Sequence, residues 1–131
     1  MKRVSLTLGM FFLFLFINSS LYAQQKTTSS PGVRAAKITG WMRTNLELTD
    51  DQLTKVQTIN LKYANKTEEI KNSPTDRIQK SHMLKSNDNA KDAELKQVLT
   101  DSQYKTYLSK KKEIEKKVKK EIKADMKEGG L

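Results

Sequence analysis

The chain is short, basic and free of cysteine, and each of these properties excludes a class of protein. Its 131 residues allow no more than one small domain, and without cysteine it has no disulfide framework, no thiolate metal site and no cysteine for lipid attachment. The formal net charge of +10 indicates an anionic partner. The sequence contains no glycine-rich phosphate loop and no nucleophile–histidine constellation, so we predict no enzymatic activity and no cofactor.

The first 23 residues have the three parts of a secretory signal sequence. Lys2 and Arg3 give a positive start, residues 6–17 are almost wholly apolar, and Ala23 is a small residue at the expected cleavage point. The apolar run is shorter than the about 20 residues of an ordinary membrane helix, so a cleaved signal is favoured over an uncleaved anchor. We therefore expect an exported protein that is cleaved after Ala23. Export argues against nucleic acid as a partner, although small basic proteins often bind it.

The rest of the chain divides into a polar leader at residues 24–32, expected to be disordered, and a single helical domain at residues 33–128. The first helix is predicted over residues 33–45, where Trp41 and its apolar neighbours fall on one side and Trp41 acts as a packing anchor. Gly40 interrupts this helix. A glycine inside a helix predicts the close approach of a neighbouring backbone.

A second helix is predicted from Asp50 to about Lys71, and it is apolar on two sides. The residues that fall within one narrow arc are Val56, Ile59, Tyr63 and Ile70. Leu61 lies nearly opposite that arc. A helix of this kind either packs between two neighbours or keeps one side for a partner, so Leu61 is a candidate contact for a client protein.

Residues 72–74 interrupt the helical pattern, and we predict that Ser73 caps a third helix with Pro74 at its first position. This helix is expected over residues 75–98. Its residues 86–89, Ser-Asn-Asp-Asn, have low helix propensity. We therefore expect a kink or a split at that point.

The fourth helix, predicted from Asp101 to about Lys127 and ended by two glycines, carries an apolar stripe and a basic flank. The stripe comprises Tyr104, Tyr107, Leu108, Ile114, Val118, Ile122 and Met126. The flank, which we call the lysine rail, comprises Lys105, Lys112, Lys116, Lys119, Lys120, Lys123 and Lys127. Most acidic residues lie on the opposite flank, namely Glu113, Glu121 and Asp125. The rail is either an ordinary solvated face or a surface for an anionic partner.

One five-residue phrase occurs twice, as Leu-Thr-Asp-Asp-Gln at residues 48–52 and as Leu-Thr-Asp-Ser-Gln at residues 99–103. Each copy is predicted to be a capping box at the start of a helix. The threonine accepts from the backbone N–H three residues later, and the glutamine at that position accepts from the threonine's own N–H. The motif residues are Leu48, Thr49, Gln52, Leu99, Thr100 and Gln103.

Two such LTxxQ boxes, each between helices and behind a signal sequence, resemble the Spy/CpxP family of periplasmic stress proteins over about residues 38–118. The resemblance implies a periplasmic homodimer of long bent helices, a thin cradle that holds unfolded envelope proteins on a basic face without ATP. Other members bind the extracytoplasmic domain of a sensor kinase, which makes a regulatory adaptor the alternative function. Some relatives are linked to metal tolerance, but this chain offers only His82 as a histidine ligand, so no metal site is expected.

We therefore expect an all-α fold of long amphipathic helices in two helix–LTxxQ–helix units, packed as in coiled coils. The units are expected to form a thin curved layer that pairs as a dimeric cradle, with a monomeric four-helix bundle as the alternative. The expected partners are a second copy of the chain and either unfolded envelope proteins or a sensor domain. An anionic membrane surface is a further, weaker partner.

Overall fold

The computed structural model describes residues 29–128, apart from the side chain of Met126, and confirms the predicted all-α fold for them. The helices are α1 (Pro31–Leu46), α2 (Asp50–Asn72), α3 (Arg77–Val98) and α4 (Asp101–Glu128). The described range contains no strand, and none of its helices is long and apolar enough to cross a membrane. The predicted signal sequence, most of the predicted leader and the glycine pair at the end of the fourth helix lie outside the described residues.

The first helix begins two residues before its predicted start. Ser30 is the N-cap, and its Oγ accepts a hydrogen bond from the backbone N–H of Val33 at 3.3 Å. Pro31 takes the first helical position, where its missing N–H does no harm. The helix ends at Leu46 because Glu47 adopts a left-handed backbone conformation with φ of 51°.

The turn between α2 and α3 differs from the sequence prediction. Ser73 does not cap α3, because its hydroxyl and its backbone N–H both donate to the carbonyl oxygen of Ile70, at 2.7 Å and 3.2 Å. It therefore ends α2. The N-cap of α3 is Asp76, whose carboxylate accepts from the backbone N–H of Gln79 at 2.9 Å. Pro74 accordingly lies in the turn and not at a helix start.

The third helix runs without a break through residues 86–89, so the predicted split was wrong. Asn87 is buried, and its Nδ2 donates to the backbone oxygen of Tyr63 at 3.2 Å and to Oγ1 of Thr67 at 3.0 Å. Asp88 bonds to Lys111 of α4. These contacts with two other helices stabilise a helical conformation that local propensity disfavours.

The helices are arranged as a layer crossed by one further helix. The middle of the layer is α2, which packs against α1 on one side and α3 on the other. The last helix contacts α3 near its own start, through Tyr107 and Lys111, and then α1 through Glu121 and Asp125. It therefore crosses from α3 to α1 over one face of the layer.

The four helices enclose one apolar core within a single chain. Its buried residues are Met42, Leu46, Val56, Ile59, Tyr63, Leu95, Leu99, Tyr107, Ile114, Val118 and Ile122. Trp41 is partly buried against this core, as expected of a packing anchor. Most of the apolar stripe predicted for α4 is thus buried, whereas Leu108 at its edge is 46% exposed.

Gly40 is not at a close approach between helices, so that prediction was also wrong. The residue is exposed, and a Cβ placed on it would meet no heavy atom within 4 Å outside its own helical backbone. It lies on the outward side of α1, while its neighbour Thr39 is buried. Nothing in the described structure therefore requires glycine at this position.

We expect Gly40→Ala to stabilise the protein. Alanine loses less backbone entropy than glycine when a helix forms, and the site has room for its methyl group. The free energy of unfolding should rise by about 0.5–1 kcal/mol, measured by urea denaturation. Ala36→Gly, at an exposed position of the same helix, is the matched control and should lower it by a similar amount. A less stable Gly40→Ala protein would contradict this interpretation.

Candidate functional site

Both predicted capping boxes are confirmed. In the first, Thr49 Oγ1 accepts from the backbone N–H of Gln52 at 3.2 Å, and the Thr49 N–H donates to Gln52 Oε1 at 3.1 Å. In the second, the same bonds between Thr100 and Gln103 measure 3.2 Å and 2.9 Å. Each box thus pairs two of the N–H groups that a helix start leaves free.

The two boxes also bond to each other, which the sequence did not predict. Gln52 Nε2 donates to Gln103 Oε1 at 2.8 Å, and Gln103 Nε2 donates back to Gln52 Oε1 at 3.2 Å. Each Nε2 has a second acceptor at the end of a helix in the other unit. These acceptors are the backbone oxygens of Val98 for Gln52, at 3.2 Å, and of Leu46 for Gln103, at 3.0 Å. Every amide hydrogen and both amide oxygens are therefore paired.

The leucines of the boxes belong to the core. Leu99 is buried, and Leu48 is partly buried against the same cluster of apolar residues. The motif therefore holds four helix ends together and presents no reactive group. Its residues have a structural role, and the candidate binding surface must be sought elsewhere in the chain.

A polar cluster ties α3 to α4 beyond the second box. The Tyr107 hydroxyl donates to Asp92 Oδ1 at 2.9 Å, and Lys111 Nζ donates to Asp92 Oδ2 at 2.7 Å and to Asp88 Oδ2 at 2.5 Å. This cluster was not predicted from the sequence. Its only signal in the sequence was the four-residue spacing of Asp88 and Asp92 and of Tyr107 and Lys111. Residues four apart share a helix face.

The pKa values of Tyr107 and Lys111 in this cluster are both raised. Tyr107 is only 2% exposed, and burial together with the charge of Asp92 raises the pKa of its hydroxyl far above the usual range. Burial alone would lower the pKa of Lys111, but its hydrogen bonds to Asp88 and Asp92 outweigh that effect and raise it. The tyrosine is therefore neutral and the lysine charged at physiological pH.

Ion pairs also join the other helices that pack together. They are Arg34–Glu68 at 2.8 Å between α1 and α2, Lys62–Glu94 at 2.6 Å between α2 and α3, and Lys37–Asp125 at 3.0 Å between α1 and α4. The hydrogen bond from Lys62 lowers the pKa of Glu94, and the same bond raises the pKa of Lys62. Such partly exposed pairs contribute about 0–1 kcal/mol each and mainly fix which faces meet.

The lysine rail contrasts with these paired cations. All seven of its lysines are exposed, and none has a carboxylate of residues 29–128 within 4.0 Å. The acids of the opposite flank have partners there, since Glu121 and Asp125 meet Lys37 and Glu113 meets Lys110. The charges of the rail are therefore directed at solvent.

Several large apolar side chains of the described residues are exposed, and one of them lies beside the rail. Leu61, the candidate client contact on α2, is 41% exposed and lies outside the core. Leu108 lies one turn before Lys112 of the rail. The other large apolar residues that are exposed in the described range are Val33, Ile78 and Met83. In the same range, no group of three or more histidine, cysteine or acidic side chains is placed to hold a metal ion.

The fold and this surface define a small all-helical protein held by paired capping boxes, with a basic flank on its last helix. The chain belongs to the DUF4890 family, a domain of unknown function whose family model matches residues 22–107. The matched region includes both boxes and ends at Tyr107, before six of the seven rail lysines. No curated protein and no solved structure matches the chain.

The glutamine pair should behave as one unit in unfolding experiments. Gln52→Ala and Gln103→Ala should each lower the free energy of unfolding by about 1–3 kcal/mol, because each leaves polar groups unpaired. The loss of unfolding free energy in the double variant should be smaller than the sum of the two single losses by about 0.5–3 kcal/mol, because the bonds shared by the two glutamines are lost only once. Urea denaturation of the four proteins measures this coupling. Gln57→Ala, at an exposed position of α2, is the control, and strictly additive losses would refute the pairing.

The cluster around Tyr107 predicts a loss of stability at high pH. The unfolded chain releases the tyrosine proton near pH 10, whereas the folded protein retains it, so the free energy of unfolding falls as the pH rises above about 10. The fall should reach about 1.4 kcal/mol per pH unit for this group. The raised pKa of Lys111 acts in the same direction.

Urea denaturation between about pH 8 and pH 11 tests this dependence, and Tyr107→Phe should show a shallower alkaline decline than the unmodified chain. Tyr104→Phe, one turn earlier, is the control, since no hydrogen bond of the described residues involves its hydroxyl. Parallel pH profiles for the wild type and Tyr107→Phe would contradict the assignment.

Proposed function

We propose that this protein is an ATP-independent chaperone of the holdase type, which binds unfolded envelope proteins in the periplasm through the lysine rail of α4. The observation that carries the proposal is the rail itself. Seven exposed lysines share one flank of a single helix and have no carboxylate partner within the described residues. The acids of the other flank of α4 are, by contrast, paired with Lys37 and Lys110.

The spacing of the rail suits an extended acidic chain. From Lys105 to Lys127 the helix rises about 33 Å at 1.5 Å per residue, and from Lys112 onward neighbouring lysines lie within the about 8 Å screening distance of physiological salt. The lysines therefore act together and attract anionic segments from solution. Binding through exposed charge requires no nucleotide.

The exposed leucines provide the second component of such binding. A holdase must contact apolar groups that an unfolded client exposes, and Leu108 lies beside the rail while Leu61 lies on the outer face of α2. Isolated side chains of this kind give weak, reversible contacts. Weak contacts suit release of the client without an energy source.

The cellular setting and the assembly belong to the same proposal. The predicted signal sequence and the resemblance to the Spy/CpxP family support a periplasmic location and a homodimeric cradle. In that cradle, a second copy would extend the α1–α2–α3 layer, and each copy would contribute one rail. The same basic flank would serve the alternative function, docking on one acidic sensor domain.

The first test is aggregation of a chemically denatured client diluted into buffer, with and without a near-stoichiometric amount of protein purified from cells that express the full sequence. We expect suppression of aggregation at low salt that weakens at high salt, because screening acts first on exposed charges. Absence of suppression at every ratio would refute the holdase proposal and favour a specific docking partner.

The rail is tested by charge reversal. Lys112→Glu, Lys116→Glu and Lys120→Glu together should reduce client protection several-fold and remove its salt dependence, because they reverse the middle of the rail. The control combines Lys55→Glu, Lys66→Glu and Lys117→Glu, which are exposed positions off the rail with the same change in net charge. Equal effects of the two triple variants would show that net charge, and not the rail, determines protection.

A further inference from the structure

A cavity of about 330 Å³ lies among the four helices, on the side of the Lys111 cluster that faces away from the boxes. Leu84 lines it from α3, one turn before Asp88, together with Asn87 and Asp88 itself, and Glu115 lines it from α4, one turn after Lys111. Beyond Lys111, α4 runs toward α1, which it contacts through Asp125 and Lys37, and so moves away from α3. The cavity thus lies where the two helices separate.

The wall of this cavity is apolar in part and charged in part. Ile38, Ala64 and Leu84 supply the aliphatic surface, and Tyr63 lines it as well. The charged wall residues are the cations Arg34, Lys71 and Lys91 and the acids Asp88 and Glu115, and Lys91 is paired with Asp88. Its volume is near the lower end of the about 300–1,000 Å³ typical of ligand sites. It therefore has room for one large side chain and not for a folded partner.

The cavity lies next to the lysine rail. Glu115 follows Lys112 by three residues and precedes Lys119 by four, so all three share neighbouring positions on the surface of α4. Glu115 is exposed. The Glu115 carboxylate therefore lies between the cavity and a row of lysines.

We infer that the cavity is an anchor pocket for one aromatic side chain of an acidic client segment, whose carboxylates lie along the rail. The inference rests on the proposed function and specifies its substrate class. Charge complementarity selects this occupant, since a second copy of the chain would bring a rail of the same charge. Glu115 opposes the acidic segment at the pocket edge and so limits its affinity.

Three short fluorescent peptides test the pocket by anisotropy with the purified protein. The first has one phenylalanine between glutamates, the second has alanine in place of phenylalanine, and the third has glutamines in place of the glutamates. The first should bind about tenfold or more tightly than the second, because a buried aromatic ring leaves water. The first peptide should also bind more tightly than the third, which lacks the glutamates. That difference should be large at low salt and small at high salt.

Two kinds of variant locate the effect. Ala64→Phe and Leu84→Phe each fill the cavity and should abolish the preference for phenylalanine over alanine while leaving the salt dependence intact. Glu115→Gln, at an exposed position, should raise affinity for the first peptide about two- to fivefold. Glu69→Gln, at an exposed position of α2 that does not line the cavity, is its matched control and should not.

Equal binding of the phenylalanine and alanine peptides would overturn the inference, as would equal effects of Glu115→Gln and Glu69→Gln. If both filled variants fail to fold by circular dichroism, the pair of glutamine variants decides the question. The aggregation assay separates the two proposals. If the protein suppresses aggregation but does not prefer the aromatic peptide, the holdase proposal stands and the pocket is refuted. If it prefers the aromatic peptide but does not suppress aggregation, the pocket stands and the holdase proposal is refuted.

Discussion

Two side-chain amides hold the halves of this fold in register. Six hydrogen bonds converge on Gln52 and Gln103, and they join the starts of α2 and α4 to the ends of α1 and α3. An unpaired polar group in such a place would cost about 1–3 kcal/mol, so the four helix ends are fixed relative to one another. The direction in which α4 leaves this junction then determines where the lysine rail lies and which helix it crosses.

The middle of the molecule is less completely paired. Asn60 and Asn87 are buried in the faces of α2 and α3, and each leaves its Oδ1 without a protein donor in the described residues. The cavity and the separation of α3 from α4 lie in the same region. Regions with fewer satisfied contacts are the ones that rearrange most easily, and ligand-binding elements are drawn from them. The proposed pocket thus lies in this less constrained middle region, while the motif residues secure the helix ends.

Local chemistry in the sequence was sufficient for the four helices and for both capping boxes, because caps and apolar periodicity act within a few residues. What it could not supply were contacts between residues distant in the chain. The bonding of Gln52 to Gln103 spans 51 residues, and the helical state of Asn87 depends on α2. Serine and aspartate both cap helices well, and Ser73 is excluded as the cap of α3 only because its hydroxyl donates to the carbonyl oxygen of Ile70 in the folded chain. The rail was visible as a pattern, but its lack of carboxylate partners needed the positions of the other helices.

The regular spacing of the rail has a cost for the helix that carries it. Lys112, Lys116 and Lys120 follow one another at intervals of four residues, as do Lys119, Lys123 and Lys127. Like charges at this spacing destabilise a helix by about 0.2–0.5 kcal/mol per pair. An anion bound along the rail removes that repulsion, so anion binding and helix formation at the end of α4 are thermodynamically linked and each stabilises the other. The stability of the helical conformation at the end of α4 therefore depends on ionic strength and on any polyanion bound along the rail.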